Sequence, residues 1–112
     1  MNTGDVISEL YAVLQSRKSA DPGQSYVASL YAKGVDGILK KIGEEAAETL
    51  IAAKNPDDHA LVHELADLWF HTLVLMAAKD IPLQMLSDEL ARRRGRSGHE
   101  EKASRGAAKP AS

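Results

Sequence analysis

Three residues, Asn55-Pro56-Asp57, separate two long segments in which apolar residues recur every three or four positions. This spacing is typical of amphipathic helices, and the residue before a proline resists the α conformation. One helix therefore ends at this point and another begins. Because so short a connection joins helices that pack side by side in opposite directions, the sequence predicts an antiparallel hairpin. Its helices are expected at about 36–54 and 58–79.

The same spacing predicts helices in the rest of the chain. A first helix, capped by Asn2 or Thr3, ends at a breaker over 19–23, and a short one over 25–33 stops at Gly34. A last helix follows Pro82 and runs to about Arg94. The second hairpin helix is apolar around most of its circumference, so we expect it to be buried from several sides. No segment alternates as a strand does, which predicts an all-α fold, a bundle of four or five helices. The apolar stripe of the first helix consists of Val6, Ile7, Leu10, Val13 and Leu14.

Length and composition restrict the class of protein. The 112 residues suit a single domain over 1–94, followed by a polar and basic tail over 95–112 that we expect to be mobile. Cysteine is absent, which excludes disulfides and cysteine-bound zinc and is compatible with the cytoplasm. The N-terminus does not resemble a secretory signal, and no apolar stretch approaches the ~20 residues of a membrane span. With a net charge of −2, we expect neither a nucleic-acid nor a membrane partner.

The hairpin carries five acidic residues that are candidates for a catalytic site. On the second helix, Glu64 and Asp67 lie three residues apart and share a face, as Glu45 and Glu48 do on the first. In an antiparallel pair, residues at equal height have residue numbers that add to the same total. The register therefore predicts that Glu48 faces Glu64 and that Glu45 faces Asp67. The two levels are separated by a rise of only ~4.5 Å. The candidates are Glu44, Glu45, Glu48, Glu64 and Asp67.

Four carboxylates in so small a volume require a positive partner. Asp67 has apolar neighbours in sequence, and a buried, unpaired carboxylate costs several kcal/mol. Carboxylate ligands favour Mg²⁺ or Mn²⁺ over zinc. Zinc bound by His59 and His63 is disfavoured, because Asp67 stands where a zinc helix needs its second histidine. In the alternative interpretation, the acids of the first helix form a solvated face paired with Lys40, Lys41 and Lys54.

Two spaced motifs carry a resemblance to a known family. Glu44-Glu45-x-x-Glu48 followed by Glu64-x-x-Asp67 resembles the metal motif of the MazG-type all-α nucleotide pyrophosphohydrolases. The segments 25–30, 33–45 and 66–71 are similar to those of the phosphoribosyl-ATP pyrophosphohydrolase family of histidine biosynthesis, and the likeness covers about 10–94. The resemblance implies a MazG-like fold, a homodimer, Mg²⁺, and hydrolysis of phosphoribosyl-ATP to phosphoribosyl-AMP and pyrophosphate. It also implies a role for Glu44 in holding a second metal or orienting water. The metal ligands that it implies are Glu45, Glu48, Glu64 and Asp67.

The reaction implied by this resemblance is attack of water on the α-phosphorus. We expect one or two Mg²⁺ ions to bridge phosphate oxygens and lower the pKa of a bound water, and one acid to take the proton. Tyr26 and Tyr31 are candidates for stacking on adenine, or they are core residues. His71 could orient a carboxylate, contact phosphate, or be a buried core histidine. The candidates for phosphate contacts, each also interpretable as an ordinary surface charge, are Lys33, Lys40, Lys41, Arg17 and Lys18.

Two other functions are compatible with the same sequence. A house-cleaning nucleoside triphosphate pyrophosphohydrolase of the MazG type would share the acids and differ in the base pocket. A helical dimerisation module without enzymatic activity would carry the same acids as mere surface charge. Only the enzymatic interpretations predict that Mg²⁺ stabilises the protein, because a ligand that binds the native state alone must stabilise it.

Overall fold

Four α-helices make up most of the residues that the structure describes. In the structure, which is a computed structural model, residues 1–95, 98–99 and 102–103 are described. They include no strand, so the predicted all-α fold is confirmed. The helices fall into two compact units, Met1–Pro82 with the first three and Leu83–Ser112 with the fourth. The predicted boundary at 94 stays a prediction, since most of the tail lies outside the described residues. The elements are α1 (Thr3–Ser16), a 3₁₀ turn (Arg17–Ser19), α2 (Tyr26–Ala52), α3 (Asp58–Ala78) and α4 (Leu83–Arg93).

Side-chain caps set the starting points of the three longer helices. Asn2 Oδ1 accepts a hydrogen bond of 2.8 Å from the Asp5 amide, which decides between the two predicted caps of α1. Ser25 Oγ accepts from the Ala28 amide at the start of α2, and Asp57 Oδ1 accepts from the His59 amide at the start of α3. Each cap satisfies an amide that the helix leaves unpaired and contributes about 1 kcal/mol.

Gly34 interrupts α2. Its φ of 82° and ψ of −179° are not helical, although helical turns resume on both sides. The two helices predicted before and after Gly34 are therefore one element with a kink. An L side chain rarely adopts this conformation, which explains why glycine stands here. The kink divides α2 into an early part that contains Tyr26 and a later part that contains the acidic residues.

The core lies among α1, α2 and α3. Its fully buried large side chains are Leu14, Leu30, Ile38 and Val74. Burying each of them stabilises the fold by roughly 1.5–3 kcal/mol relative to leaving it exposed. A partly buried hydrogen bond links α2 to α1, because Tyr31 Oη donates to the Leu14 carbonyl oxygen at 2.8 Å.

The prediction that α3 is buried from several sides was wrong. Val62, Leu65, Trp69 and Leu73 lie along one face at helical spacing, but only Leu73 is buried. Val62 is 62% exposed and Trp69 55%. The stripe is buried at Leu73, toward the C-terminal end of α3, and open from Val62 to Trp69.

By length and composition alone, α3 could cross a membrane, with a mean hydropathy of 1.2 over its most apolar window. The expectation that no stretch approaches such a length was wrong for this helix. A core helix of a soluble protein meets the same criterion, so the observation is weak evidence for a membrane span. The helix also carries Glu64 and Asp67, and intramembrane carboxylates are costly.

Substitution of two glycines tests the kink. Gly34→Ala should lower the free energy of unfolding by about 1–3 kcal/mol, because alanine is strained at this φ. Gly43→Ala is the matched control, since neither added methyl group would meet an atom within 4 Å. Gly43 is helical, so alanine there should stabilise by about 0.4–1 kcal/mol. Urea denaturation followed by Trp69 fluorescence measures both changes, and equal effects would contradict a strained Gly34.

Candidate active site

The hairpin brings three glutamates together, including the predicted pair of Glu48 and Glu64, whereas the predicted pair of Glu45 and Asp67 is found together in neither acidic group. Carboxylate oxygens of Glu45, Glu48 and Glu64 lie within 4.8 Å of one another. Side-chain atoms of His63, Glu64 and Asp67 form a second group of the same size. Glu64 belongs to both groups, so the two form one continuous acidic site, which contains four of the five predicted acids. Glu44 belongs to neither group and is about half exposed.

Glu45 is the buried acid of this site. It is 6% exposed, and its Oε1 lies 3.6 Å from Lys41 Nζ. Its Oε2 is buried without a hydrogen-bond partner among the described residues, and so is Oε2 of Glu64. The sequence had pointed to Asp67 as the buried carboxylate, but the Asp67 side chain is 39% exposed. Its apolar sequence neighbours project to other sides of the helix, where they cannot surround it.

The proximity of the carboxyl groups changes the proton affinity of Glu64. A hydrogen bond with the Glu48 carboxyl, burial, and the negative charges of Glu48 and Glu45 raise the pKa of Glu64 above its usual range. Glu64 therefore binds a proton more readily than an isolated glutamate does. A cation that binds here would compete with protonation of Glu64.

Lys41 lies between the acids and Tyr26. Its Nζ is 3.4 Å from Glu44 Oε2 and 3.6 Å from Glu45 Oε1. The Tyr26 hydroxyl and the Glu44 and Glu45 carboxylates raise the pKa of Lys41, so it remains charged. Among the predicted phosphate-contacting cations, Lys41 is the one that the structure pairs with the acids.

The other predicted cations lie elsewhere on the surface. Lys40 is exposed on α2, and Lys33 is exposed beside the Gly34 kink, where its Cβ leaves no room for a side chain at Gly37. Lys18 Nζ pairs with Asp80 Oδ1 at 2.6 Å. Arg17 lines a cavity between α1, α2 and α3. Direct phosphate contact by Lys33, Lys40 and Arg17 stays a prediction.

His71 and Tyr26 form a hydrogen-bonded pair at the edge of the acidic site. His71 is 4% exposed, and its Nδ1 lies 2.7 Å from the Asp67 carbonyl oxygen. A carbonyl only accepts, so Nδ1 carries the proton and Nε2 accepts from Tyr26 Oη at 2.8 Å. Of the roles considered for His71, the structure shows the buried, hydrogen-bonded one. His71 bonds to the Asp67 backbone and not to its carboxylate.

Comparison with known proteins assigns the chain to a family. A family model described as phosphoribosyl-ATP pyrophosphohydrolase matches residues 7–94. The chain belongs to this family. Three relatives bear the name phosphoribosyl-ATP pyrophosphatase. That of Methylococcus capsulatus is 55% identical over 101 residues, 90% of this chain and 96% of its own. That of Trichlorobacter lovleyi is 56% identical over 100 residues, 89% of this chain and 93% of its own. That of Ruthia magnifica is 52% identical over 101 residues, with coverage of 90% and 96%.

The match to the phosphoribosyl-ATP pyrophosphohydrolase family includes both acidic groups, the Tyr26–His71 pair and α4. One neighbour of the acids was missed in the sequence. His63 Nε2 lies 3.4 Å from Asp67 Oδ2, which makes His63 a potential ligand or hydrogen-bond partner. The available signal was its spacing of four residues from Asp67, because such residues share a helix face.

The donor set fits a hard divalent cation. The group of Glu45, Glu48 and Glu64 offers oxygen atoms alone, which Mg²⁺ and Mn²⁺ prefer. Two of those oxygens are buried and unpartnered. A cation at this position would satisfy both oxygens and offset the repulsion among the carboxylates.

The raised pKa of Glu64 predicts a pH dependence of stability without added metal. A group that binds its proton more tightly in the folded state stabilises the fold at low pH. That contribution is lost as the pH rises through the raised pKa. If Mg²⁺ binds these carboxylates, it competes with the proton, so the gain in melting temperature on adding Mg²⁺ should grow over the same interval. Thermal denaturation with and without Mg²⁺, from acidic to neutral pH, measures both trends.

Two variants provide the controls for this experiment. Glu64→Gln keeps a hydrogen-bond donor toward Glu48 at every pH. It should therefore reduce the pH dependence of the stability and of the gain in melting temperature on adding Mg²⁺. Glu9→Gln removes an exposed carboxylate from α1 and should leave them unchanged. An unaltered pH dependence in Glu64→Gln would exclude Glu64 as the titrating group.

Proposed function

We propose that this protein hydrolyses phosphoribosyl-ATP to phosphoribosyl-AMP and pyrophosphate, the second step of histidine biosynthesis. The observation that carries the proposal is the family match over 7–94, which includes an acidic site with two unpartnered buried oxygens. Relatives that cover 89–90% of the chain are named for this pyrophosphatase activity. A house-cleaning enzyme would need the same acids, but no relative cited above bears such a name.

Mg²⁺ is the proposed cofactor, with Mn²⁺ as an alternative. Glu45, Glu48, Glu64 and Asp67 would hold it, and Glu64 would give up its shared proton. A bound Mg²⁺ supplies positive charge that offsets the charge on the phosphate oxygens. The arguments for this cofactor are the all-oxygen donor set and the two unpartnered oxygens.

The neighbouring side chains suit the remaining roles. Lys41 would donate hydrogen bonds to the phosphates from its position beside the acids. Glu44 stands outside both acidic groups, and its carboxylate, which Lys41 contacts at 3.4 Å, would orient a water molecule and accept its proton. The water oxygen attacks the α-phosphorus, and the bond between that phosphorus and the oxygen bridging to the β-phosphorus breaks. Pyrophosphate departs with the electrons of that bond.

A substrate panel tests the proposal. The wild-type protein should release pyrophosphate from phosphoribosyl-ATP with Mg²⁺ and not after chelation. Glu48→Gln should lower kcat/KM by at least about 100-fold, because Glu48 is a proposed metal ligand. Loss of a residue that only hydrogen-bonds such a ligand already costs about 10–100-fold. Glu9→Gln, which makes the same change far from the acids in sequence, should retain the wild-type rate.

The alternative functions give different results on the same panel. Metal-dependent cleavage of ATP and dUTP at rates similar to that of phosphoribosyl-ATP would identify a house-cleaning enzyme. No release from any substrate, together with no Mg²⁺-dependent stabilisation, would favour the dimerisation module.

We further propose that the protein is a homodimer. Val62, Leu65 and Trp69 form an exposed apolar stripe on α3, and Leu50 and Ile51 are each more than 70% exposed on α2. Large exposed apolar areas typically mark interaction sites. A second copy of the chain would supply the helices that the hairpin lacks.

Replacement of Trp69 tests the dimer. Trp69→Glu places a charge in the stripe and should convert the protein to a monomer of 12.1 kDa, because a charge buried in an interface is left unpaired. Trp69→Phe keeps an apolar ring and should remain dimeric. Light scattering after gel filtration measures both masses. A wild-type monomer, or a dimeric Trp69→Glu variant, would contradict this interface.

We place the protein in the cytoplasm, without membrane or nucleic-acid partners. The absence of cysteine is compatible with a reducing compartment. The carboxylates of α3 are costly in a bilayer, and the net charge of −2 gives no overall attraction to nucleic acid.

A further inference from the structure

A cavity of about 490 Å³ lies between α1, the start of α2 and α3. This volume falls within the range of small-molecule binding sites, about 300–1,000 Å³. Leu10, Val13 and Phe70 provide apolar walls, and Arg17 and Gln24 are among the polar residues. An apolar cavity with a few polar groups is suited to a flat ring that carries a charged substituent.

Tyr26 connects this cavity to the acidic site. It lines the cavity, and its hydroxyl donates to His71, which is itself held on the Asp67 carbonyl oxygen. Phe70, on the α3 wall of the cavity, follows Asp67 by three residues, a rise of ~4.5 Å. A nucleotide whose triphosphate lies at the acids therefore has the cavity within reach of its base and sugars.

The neighbouring residues Arg17 and Lys18 differ in their partners. Lys18 is paired with Asp80 at 2.6 Å. No ion pair within the described part of the chain includes Arg17, although it lies at a cavity that is otherwise largely apolar. A guanidinium without a carboxylate partner is suited to bind a phosphate group, to which it can donate two parallel hydrogen bonds.

We propose that this cavity binds the end of the substrate remote from the reacting phosphates, with the purine between Val13 and Phe70 and the phosphate of the second ribose on Arg17. The cavity would thereby distinguish a nucleotide with an added ribose phosphate from an ordinary triphosphate. This inference rests on the proposed function, because it takes its substrate from that reaction.

Filling the cavity is the first test. Val13→Trp places a large ring in it and should lower kcat/KM for phosphoribosyl-ATP by about tenfold or more, since the substrate's base loses its binding surface. Val6→Trp is the matched control. Val6 lies on the same helix at nearly the same exposure, 47% against 44%, but does not line the cavity. It should retain wild-type kinetics.

Removing the cation is the second test, and it does not depend on whether Val13→Trp folds. Arg17→Ala should raise KM for phosphoribosyl-ATP by about tenfold with little change in kcat, because the lost contact is made equally in the ground and transition states. The inhibition constant of ATP, which lacks the second ribose phosphate, should not change. A merely structural role for Arg17 would alter both constants. Lys79→Ala removes the same charge from an exposed position at the end of α3 and should change neither.

The outcomes separate this inference from the proposed function. If the wild-type protein does not cleave phosphoribosyl-ATP, the proposed function fails and this inference fails with it. If the wild type is active while Arg17→Ala keeps its KM, or weakens ATP and phosphoribosyl-ATP alike, the inference alone is overturned. A change of oligomeric state in Val13→Trp, with unchanged kinetics, would show that a second copy of the chain occupies the cavity instead.

Discussion

Repulsion among three carboxyl groups is the constraint on which the site depends. Carboxyl oxygens of Glu45, Glu48 and Glu64 lie within 4.8 Å of one another, so their negative charges repel. Lys41 offsets part of this charge, and the same proximity raises the pKa of Glu64. The α2–α3 hairpin has to hold these groups against their repulsion. The buried core of α1, α2 and α3 provides the free energy that does so.

The hairpin and its register were predictable because they follow from helix geometry alone. Pro56 ends one helix, the short connection makes the next antiparallel, and a rise of ~1.5 Å per residue then sets Glu48 beside Glu64. The break at Gly34 was likewise predictable, because glycine tolerates a positive φ that other residues avoid. Such features depend on local backbone chemistry, which the sequence contains directly.

The features that were not predicted depend on how the helices pack against one another. Glu45, and not Asp67, is the buried acid, because burial follows from the packing of helices and not from apolar neighbours in the chain. The open half of the α3 stripe has the same origin, since its residues are as apolar as a core but no part of the chain that the structure describes covers them. The Tyr26–His71 bond joins residues 45 positions apart, beyond the reach of any local pattern.

The kink at Gly34 also has a consequence for how such a site can evolve. Within an unbroken helix, one inserted residue turns everything beyond it by about 100° and displaces it by ~1.5 Å. In α2, Gly34 separates Tyr26, which contacts the cavity, from the glutamates that face α3. Insertions before the kink can be absorbed at a residue that is already non-helical, so the register of Glu48 with Glu64 survives them. Substrate preference can therefore change by sequence drift in one half of the helix while the hydrolytic half is preserved.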